Sequence, residues 1–579
     1  MVVGSTSQRS GEGNQMPQCY MMTAQLSKFP QMFHLETGAK EKMPYNFVNS
    51  KTYETELAEV EGCGIAENTP WKNKDYEEFK ESISKADAWN GDLWNVKKYV
   101  RYYCAQDVRI LREGFNKFRK MILEDFKLDV INIHSISSVA YQCLINQVFL
   151  EEENIYAYSG LVDTFIRKAI VGGRCMCRDN KAYHTTIPLV DFDSVSLYPS
   201  AISIMKVPLG KPKPFEGKMP DKVDYYICEI IIEKVNKHRH FPLIRITHED
   251  GTNEWTDQGI EGKKFIVDKR TLDDWKEFSG VEFTIIRGIY WNEGTSDKLS
   301  EFIKSVFKRR LELKQEKNPL EQVYKLILNS IYGKMIQKPY NKQKVIIPKN
   351  KAAAFINRNY NFIAPNDYEI ADSNLHVFEK YKGIKNIFSF SLIGVMVLSH
   401  SKHLMNRVMC LAEDLDIPIF YQDTDSMHIE RAKLPILAAE FEKKYKAPLI
   451  GKQLCQFHSD FSSDKLDKFG EIYAKESIFL TKKIYLDILT ADGTDETDLH
   501  IRLKGISQQA IKAISEREFD NDIKKLYLEM FNNADRKIKF NLTDGKPSFS
   551  ITKEMEIYTR KEFIREINIP ASIQRLEYN

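Results

Sequence analysis

The sequence predicts an α+β fold with several domains, on three observations. Residues 187–193 and 418–429 are short, largely apolar runs, as expected of a strand and a hairpin in a central sheet. Residues 322–336 place apolar side chains at helical spacing. The chain has 579 residues, of which 42% are hydrophobic and 12% aromatic. This length and composition predict three or four globular domains rather than a disordered scaffold.

Charge and cysteine content narrow the function only slightly. The net charge is +3. A protein with a basic groove beside an acidic centre would have such a small net charge, because the two regions largely cancel. The nine cysteines form no Cys-x-x-Cys pair, which favours reduced cysteines in an intracellular protein over a zinc knuckle. No apolar run approaches the ~20 residues that cross a bilayer, so we expect no membrane partner.

The predicted strand at 187–193 ends in two carboxylates on one face. Asp191 and Asp193 are two residues apart, and side chains at that spacing point the same way along a strand. The backbone is then expected to turn, and the free amide groups after Asp193 could hold phosphate oxygens. The segment is therefore a candidate for metal and phosphate binding.

The predicted hairpin at 418–429 carries Asp423 and Asp425 at its tip. Two carboxylates so close repel each other in a low-dielectric site unless cations intervene. The apolar runs on both sides favour a buried tip, where a carboxylate pair without a metal would be costly. An exposed Asp-Thr-Asp turn is the alternative, and such turns are common.

The predicted helix at 322–336 has two distinct faces. One face carries Lys325, Asn329 and Tyr332 at i, i+4 and i+7. Such a face is usually only solvated, so the spacing alone leaves its role open. The other face is an apolar stripe for core packing, formed by Tyr324, Ile327, Leu328, Ile331 and Met335.

A carboxylate, a cation and a carboxylate pair, in this order, fit nucleotidyl transfer onto a nucleic-acid primer. In that reaction two metal ions roughly 3.5–4 Å apart bind the attacking and leaving oxygens. A cation neutralises the departing pyrophosphate. The three segments therefore predict a polymerase site, assembled from parts that are distant in the sequence.

Four segments resemble motifs of family B DNA polymerases. Residues 193–199 (Asp-Ser-Val-Ser-Leu-Tyr-Pro) resemble motif A, 325–333 (Lys-Leu-Ile-Leu-Asn-Ser-Ile-Tyr-Gly) motif B, and 421–426 (Tyr-Gln-Asp-Thr-Asp-Ser) motif C. Residues 483–485 (Lys-Ile-Tyr) resemble a motif that follows in the protein-primed branch of phages, adenoviruses, linear plasmids and virus-like mobile elements. The four segments appear in the order of the family and span about half of the chain.

The resemblance implies a fold, an activity and partners. The fold would be a right-hand polymerase with palm, fingers and thumb, behind a partial RNase H-like 3′–5′ exonuclease domain. The activity would be DNA-directed DNA synthesis from a primer 3′-hydroxyl with dNTPs, in protein-primed replication of a viral or mobile-element genome. Two Mg²⁺ ions would serve as cofactors, with Mn²⁺ as a substitute. We expect a monomer whose partners are template and primer DNA, dNTPs and a terminal priming protein. The alternative is a catalytically inactive DNA-binding remnant.

The resemblance also assigns roles to single residues. Asp193 and Asp425 are the expected metal ligands, with Asp423 as the supporting third catalytic carboxylate. Tyr198 is expected to crowd a 2′-hydroxyl and so to select deoxynucleotides. The primer and DNA contacts are Tyr421, Lys483 and Tyr485. The nucleotide-binding residues are Ser196, Leu197, Tyr198, Arg310, Lys314, Lys325, Asn329, Tyr332 and Gly333.

Arg310 and Lys314 lie outside the four motifs, on a predicted helix near 301–317. There they are four residues apart and could face the triphosphate in the fingers. A salt-bridged surface helix, with Glu312 and Glu316 as partners, is the alternative.

Two segments ahead of motif A resemble the third exonuclease motif of the family and the link between its exonuclease and polymerase domains. Tyr103-x-x-x-Asp107 resembles the third exonuclease motif, although an ordinary helix-start pair has the same pattern. The first two motifs would lie upstream, and one aspartate cannot hold two metals, so we expect no proofreading by this chain. Residues 171–174 (Val-Gly-Gly-Arg) are similar to the Tyr-x-Gly-Gly link but lack its tyrosine, and a plain turn is the alternative.

We predict eight segments from these patterns. In order they are a disordered leader at 1–22, a truncated exonuclease domain at 23–125, a helical connector at 126–170, a palm segment with the first protein-priming insertion at 171–300, fingers at 301–340, a second insertion at 341–395, a second palm segment at 396–490 and a thumb at 491–579.

Overall fold

The fold is described from a computed structural model of the chain. The predicted leader at 1–22 lies outside the described residues. These residues are 25–37, 40–44, 47–48, 52–53, 57–61, 63, 71–150, 154–318, 320–338, 342–369, 373–381, 389–544, 548–551, 557–560 and 562–578.

The first of two compact units combines Met1–Glu153 with Phe302–Lys334. Its core is aromatic, because Phe79, Trp94 and Tyr99 pack edge to face with ring centroids 5.1 to 5.6 Å apart. Its helices are Phe29–Phe33, Asn73–Lys85, Val96–Phe126 and Ile136–Leu144, with a π-helix at Ile145–Phe149 and most of Lys298–Gln315 and Glu321–Ile336. Its sheet consists of Leu57–Ala58, Leu93–Asn95 and Trp89–Asn90.

Phe126, the last residue of the longest helix in this unit, joins its two sequence segments. The ring lies 6.3 Å from that of Phe302 and 6.1 Å from that of Tyr324, measured between centroids. The predicted stripe on the helix Glu321–Ile336 is confirmed, since all five of its apolar side chains are buried. The predicted eight-segment division stays a prediction. The helices of the predicted fingers group here mostly with the N-terminal part.

The second unit combines Asn154–Glu301 with Met335–Asn579 and is built on a ten-stranded sheet. The strands are β1 (Cys175–Cys177), β2 (Ala182–Thr185), β3 (Leu189–Ser194), β4 (Ile419–Asp423), β5 (Ser426–Glu430), β6 (Phe457–Ser459), β7 (Ile472–Thr481), β8 (Ile484–Ala491), β9 (Asp498–Leu503) and β10 (Arg575–Tyr578). Their order in the sheet is β9-β8-β7-β3-β5-β4-β1, while β6 pairs with β3, and β2 pairs with β7 and β10.

Smaller sheets and helices surround this sheet in the second unit. The helices are Gly160–Lys168, Leu197–Ile204, Lys269–Ser279, Ala352–Asn359, Ser391–Asp414, Leu434–Tyr445, Gln508–Glu518 and Ile523–Asn532. A four-stranded sheet has the order Lys264–Asp268, Tyr225–Val235, Val281–Trp291, Lys213–Glu216, and a three-stranded sheet the order Lys342–Pro348, Leu375–Tyr381, Ile363–Glu369. The two-stranded pairs are Val207–Pro208 with Thr295–Ser296, Arg245–Thr247 with Asn253–Trp255, Ile538–Asn541 with Ile564–Ile567, and Ser548–Ile551 with Ile557–Arg560.

None of the helices that the structure describes combines the length and the apolar character needed to cross a membrane.

Arg174, from the predicted link, is a buried cation of the second unit. Its side chain is 3% exposed and donates to the amide oxygen of Gln422 in β4. It also donates to the carbonyls of Phe241 and Pro242, both at 2.9 Å, and to Asn406 Oδ1 at 3.2 Å. Burial lowers the pKa of its guanidinium. The link is therefore a structural junction of a strand, a loop and a helix, and not a plain surface turn.

We predict that Arg174→Met destabilises the protein by about 3 kcal/mol or more, because it leaves several buried acceptors without a donor. Urea unfolding at equilibrium measures this difference. The control is Arg517→Met, at an exposed arginine that pairs with Glu518, and it should change stability by less than about 0.5 kcal/mol. A loss at Arg174 no larger than the control's would contradict the prediction.

Candidate active site

Antiparallel pairing of β3 with β5 brings two of the predicted catalytic segments together. Asp193 lies opposite Ser426 in this register. The backbone N–H of Ser194 donates to the carbonyl of Asp425 at 2.9 Å, and the N–H of Asp425 donates to the carbonyl of Asp423 at 2.7 Å. Because these are backbone contacts, the sheet itself fixes Asp193 beside Asp425.

Burial and neighbouring carboxylates raise the pKa values of both Asp193 and Asp425. Burial and the neighbouring charges of Asp425, Asp460 and Asp191 raise the pKa of Asp193 to about 8. Burial and the charge of Asp423 raise the pKa of Asp425 to about 6. Asp425 is nevertheless more exposed than half-buried Asp193, so solvent screens its charge more strongly, and Asp193 governs the pH behaviour. The expectation of a buried hairpin tip is wrong for Asp425.

Asp423 is already paired with a cation. Lys483 Nζ lies 2.8 and 2.9 Å from its two carboxylate oxygens, and the pKa of Lys483 is raised by this pair although burial opposes it. Lys483 occupies the turn between β7 and β8 at φ 62°. The backbone N–H of Lys483 donates to the hydroxyl of Tyr421 at 2.8 Å. Tyr421 therefore positions Lys483.

The predicted DNA contacts of Tyr421 and Tyr485 need correction. The two side chains are 0% and 4% exposed, and their ring centroids lie 4.7 Å apart. A buried side chain cannot touch DNA directly in this structure. Both tyrosines belong to the apolar layer beneath the site, which leaves exposed Lys483 as the candidate primer contact.

The chain turns after Asp193 as predicted. Ser196 adopts the left-handed conformation, at φ 50° and ψ 66°, and precedes the helix Leu197–Ile204. The hydroxyl of Ser200 donates to the carbonyl of Val195 at 2.7 Å and closes the turn. Leu197 is buried and Tyr198 half-buried. A nucleotide contact by Leu197 would thus involve its backbone only.

Gly173 lies directly against the motif C turn. A Cβ atom at this position would meet the methyl group of Thr424 at 2.6 Å. The N–H of Thr424 donates to the carbonyl of Arg174 at 2.8 Å, which holds the two segments at this short distance. The second glycine of the link is therefore required by close approach to the turn between Asp423 and Asp425.

The predicted nucleotide-binding side chains of the fingers lie in the first unit. Lys325, Asn329 and Gly333 are exposed on one face of their helix, and Tyr332 is half-buried. Arg310 forms an ion pair of 3.1 Å with Glu321, which is neither of the acidic partners weighed from the sequence. Lys314 is exposed. The predicted nucleotide-binding roles of this group stay predictions.

The exonuclease-like pair sits within the long helix Val96–Phe126. Tyr103 is buried, and Asp107 forms an ion pair of 3.1 Å with Lys40. The one group of three potential metal-ligating side chains within 4.8 Å in the described part of the chain does not include Asp107. The exonuclease interpretation therefore stays a prediction.

Sequence reasoning missed several charged residues around the catalytic strands. Asp460 follows β6 and adds to the charge near Asp193. His428, Asp487 and His500 form the ligand-like group just mentioned. Asp487 is the one charged residue in the otherwise apolar run at 484–491. A carboxylate in an apolar strand implies a cationic partner, so the sequence pattern could have indicated that Asp487 belongs to a buried polar group.

The carboxylate site fits divalent metal ions. Carboxylate oxygens are ligands that Mg²⁺ prefers, and the raised pKa of Asp193 reflects its burial first and then the negative charge of the carboxylates around it. Among the described residues, neither Asp193 nor Asp425 forms an ion pair with a lysine, arginine or histidine. Two carboxylates on neighbouring strands, facing solvent on one side, are therefore a suitable cation site.

Comparison with known proteins identifies the class. Residues 16–439 match the family described as DNA polymerase type B, organellar and viral. The match covers well over half of the chain, and the chain belongs to this family. The resemblance to family B polymerases is confirmed.

Individual relatives come from fungi and phages. The DNA polymerase of Kluyveromyces lactis is 23% identical over 457 residues, which are 76% of this chain and 42% of that protein. A probable DNA polymerase of Neurospora intermedia is 24% identical over 61% of this chain and 36% of that protein. The DNA polymerase of Bacillus phage Nf is 26% identical over 47% of this chain and 44% of that protein. The chain thus spans less than half the length of these curated relatives.

Solved structures confirm the fold class. Phi29 DNA polymerase complexed with primer-template DNA and incoming nucleotide substrates matches with a TM-score of 0.59 at 16% identity, over 95% of this chain and 79% of that chain. The orthorhombic crystal form of the same polymerase gives a TM-score of 0.58 at 16% identity, over 96% and 82% of the two chains. The predicted α+β right-hand polymerase fold is confirmed.

We predict that Asp193→Asn stabilises the metal-free protein, and increasingly so as the pH rises. A carboxyl group with a pKa near 8 when folded and about 3.9 when unfolded binds more protons in the native state. Stability therefore falls as pH rises through this window, and asparagine abolishes the loss. Melting temperatures in EDTA between pH 5 and 8.5 measure the difference between variant and wild type. A difference that stays constant across this range would refute the assignment.

Proposed function

We propose that this chain is a DNA-directed DNA polymerase that extends a primer 3′-hydroxyl with dNTPs. The observation that carries the proposal is the pairing of β3 with β5, which fixes Asp193 beside Asp425 by backbone hydrogen bonds. Membership of the type B family supports the same reaction. An inactive DNA-binding remnant has no support, because the carboxylates of both motifs and Lys483 are in place.

Two Mg²⁺ ions held by Asp193 and Asp425, with Mn²⁺ as a substitute, would supply Lewis-acid activation of the primer hydroxyl and charge neutralisation at the pyrophosphate. The protein itself contributes the fixed positions of the two carboxylates, which the pairing of β3 with β5 sets. Lys483, on the turn beside them, is the candidate contact to a primer phosphate. To make that contact it exchanges one oxyanion, the Asp423 carboxylate, for another.

The nucleotide contacts are proposed from motif and exposure together. Lys325 presents an exposed ammonium group and would bind the triphosphate, while Tyr198 would lie under the sugar. The chain's relatives include DNA polymerases of phages, and we further propose that it replicates from a terminal priming protein and acts as a monomer. Template and primer DNA are the remaining proposed partners, since phi29 DNA polymerase, which has a similar fold, has been solved in complex with primer-template DNA.

We predict that Asp193→Asn and Asp425→Asn each reduce primer extension at least ~10³-fold, because each removes charge that holds the metal ions in the transition state. Extension of a labelled primer on a DNA template, with Mg²⁺ and dNTPs, measures the rate. Asp495→Asn is the matched control, at an exposed aspartate in the same unit, and it should keep wild-type activity. Near-normal extension by Asp425→Asn would sink the two-metal assignment.

We predict that Tyr198→Val increases ribonucleotide incorporation while DNA synthesis persists. Removing the ring opens space for a 2′-hydroxyl at the sugar. The measurement is the ratio of kcat/KM for a dNTP and the matching rNTP. If the ratio does not change, Tyr198 serves in core packing and sugar selection lies elsewhere.

A further inference from the structure

A buried polar network lies beneath the catalytic carboxylates. His428 and Asp487 are each 0% exposed, and His500 is half-buried. His428 Nε2 lies 3.2 Å and His500 Nδ1 3.0 Å from the same oxygen, Asp487 Oδ2. The hydroxyl of Ser477 donates to Asp487 Oδ1 at 2.7 Å. Both oxygens of this carboxylate are therefore hydrogen-bonded.

The network connects two cross-strand rungs of the main sheet. Ser477, Asp487 and His500 lie opposite one another on β7, β8 and β9. His428 and Asp191 lie opposite each other on β5 and β3. The bond between His428 and Asp487 joins the rungs, and so connects the strand of the Lys-x-Tyr motif to the strand that carries Asp193.

The second ring nitrogen of His428 is directed at the motif A strand. His428 Nδ1 and Asp191 Oδ1 are 3.9 Å apart. Within the described part of the chain, each of these two buried atoms lacks a hydrogen-bond partner. A buried imidazole nitrogen and a buried carboxylate oxygen, each otherwise unsatisfied, are complementary when the ring is charged.

The charges around the ring favour the imidazolium form. Although burial lowers it, the carboxylates of Asp487 and Asp191 hold the pKa of His428 above its ordinary value. Burial opposes ionisation of Asp487, yet His428 and His500 hold its pKa well below the usual range. The aromatic rings of Phe461, Phe479 and Tyr485, with centroids 5.0 to 5.6 Å from that of His428, exclude water from the group.

We propose that His428 is a positioning residue for the catalytic carboxylates: anchored by Asp487, its charge holds Asp191 and thereby the face of β3 that presents Asp193. Asp191, Asp193, Asp425 and Asp460 crowd neighbouring strands with like charge. Metal ions would neutralise this charge from the solvent side, and His428 does so from the core. Repulsion would otherwise push β3 away from β5 and widen the metal site. This inference rests on the proposed function.

Asp191, His428, Asp487 and His500 together are called the relay below. Two near-isosteric variants of His428 separate its contact with Asp191 from its contact with Asp487. Asparagine places its amide near the position of Nδ1 and so keeps a donor toward Asp191, whereas glutamine reaches the position of Nε2 and keeps only the donor toward Asp487. We expect both to weaken Mn²⁺ binding and to lower kcat by about 10–100-fold, as for partners that orient metal ligands, with His428→Asn retaining more than His428→Gln. KM for the primer-template and for dNTP should not change. Asp487→Asn should act in the same direction.

The experiment measures Mn²⁺ binding to the DNA-free protein by electron paramagnetic resonance, next to steady-state primer extension and melting temperature. The control is His403→Gln, at a histidine 2.7 Å from buried Asp274 on different helices of the same unit, and it should leave Mn²⁺ affinity unchanged. If a His428 variant does not fold, His500→Gln, at the half-buried end of the relay, replaces it and should show a smaller loss in the same direction.

Several results would overturn the proposal. Wild-type Mn²⁺ affinity in both His428 variants would reduce the relay to a structural role, as would a better result for glutamine than for asparagine. One equivalent of zinc in the purified protein, found by mass spectrometry and lost with His428, would make the group a metal site instead. If the wild type binds Mn²⁺ in a His428-dependent manner but extends no primer, the proposed function fails while the positioning role stands.

Discussion

The register between β3 and β5 is the constraint on which the rest of the site depends. It places Asp193 opposite Ser426 and therefore beside Asp425, although like charges at this distance repel. Backbone hydrogen bonds offset the repulsion, because they belong to the sheet and not to the side chains. A slip of one residue would turn every side chain of β3 to the opposite face and dismantle the site. Lys483 and His428 lie beside two of the carboxylates that this register brings close together, and each neutralises part of their charge.

The four carboxylates of this region differ in whether a cation lies beside them. Asp423 is neutralised by Lys483, and Asp191 faces the imidazole of His428. Asp193 and Asp425 lack such a partner among the described residues and carry raised pKa values. The presence or absence of a cationic partner therefore divides the four carboxylates into two pairs. This division agrees with metal binding by Asp193 and Asp425 and a supporting role for Asp191 and Asp423.

Much of this could be predicted from the sequence, because short motifs carry local geometry. The strand with Asp193, the hairpin with Asp425 and the stripe on the helix Glu321–Ile336 follow from periodicity alone. The sequence does not show which side chains become buried when distant strands pair. For this reason Tyr421 and Tyr485 were predicted to touch DNA, whereas both lie in the core. The relay of His428, Asp487 and His500 needs three strands in register, which no local pattern encodes.

The parallel pairing of β10 with β2 has a consequence during synthesis. Strand β2 (Ala182–Thr185) emerges from the ribosome long before β10 (Arg575–Tyr578). At about 5–20 residues per second, the interval between them is on the order of 20–80 s. Through that time one edge of β2 presents unpaired backbone groups, and such an edge is a template for wrong partners. Until residues 575–578 are synthesised, this edge is therefore a site of possible mispairing in the growing chain.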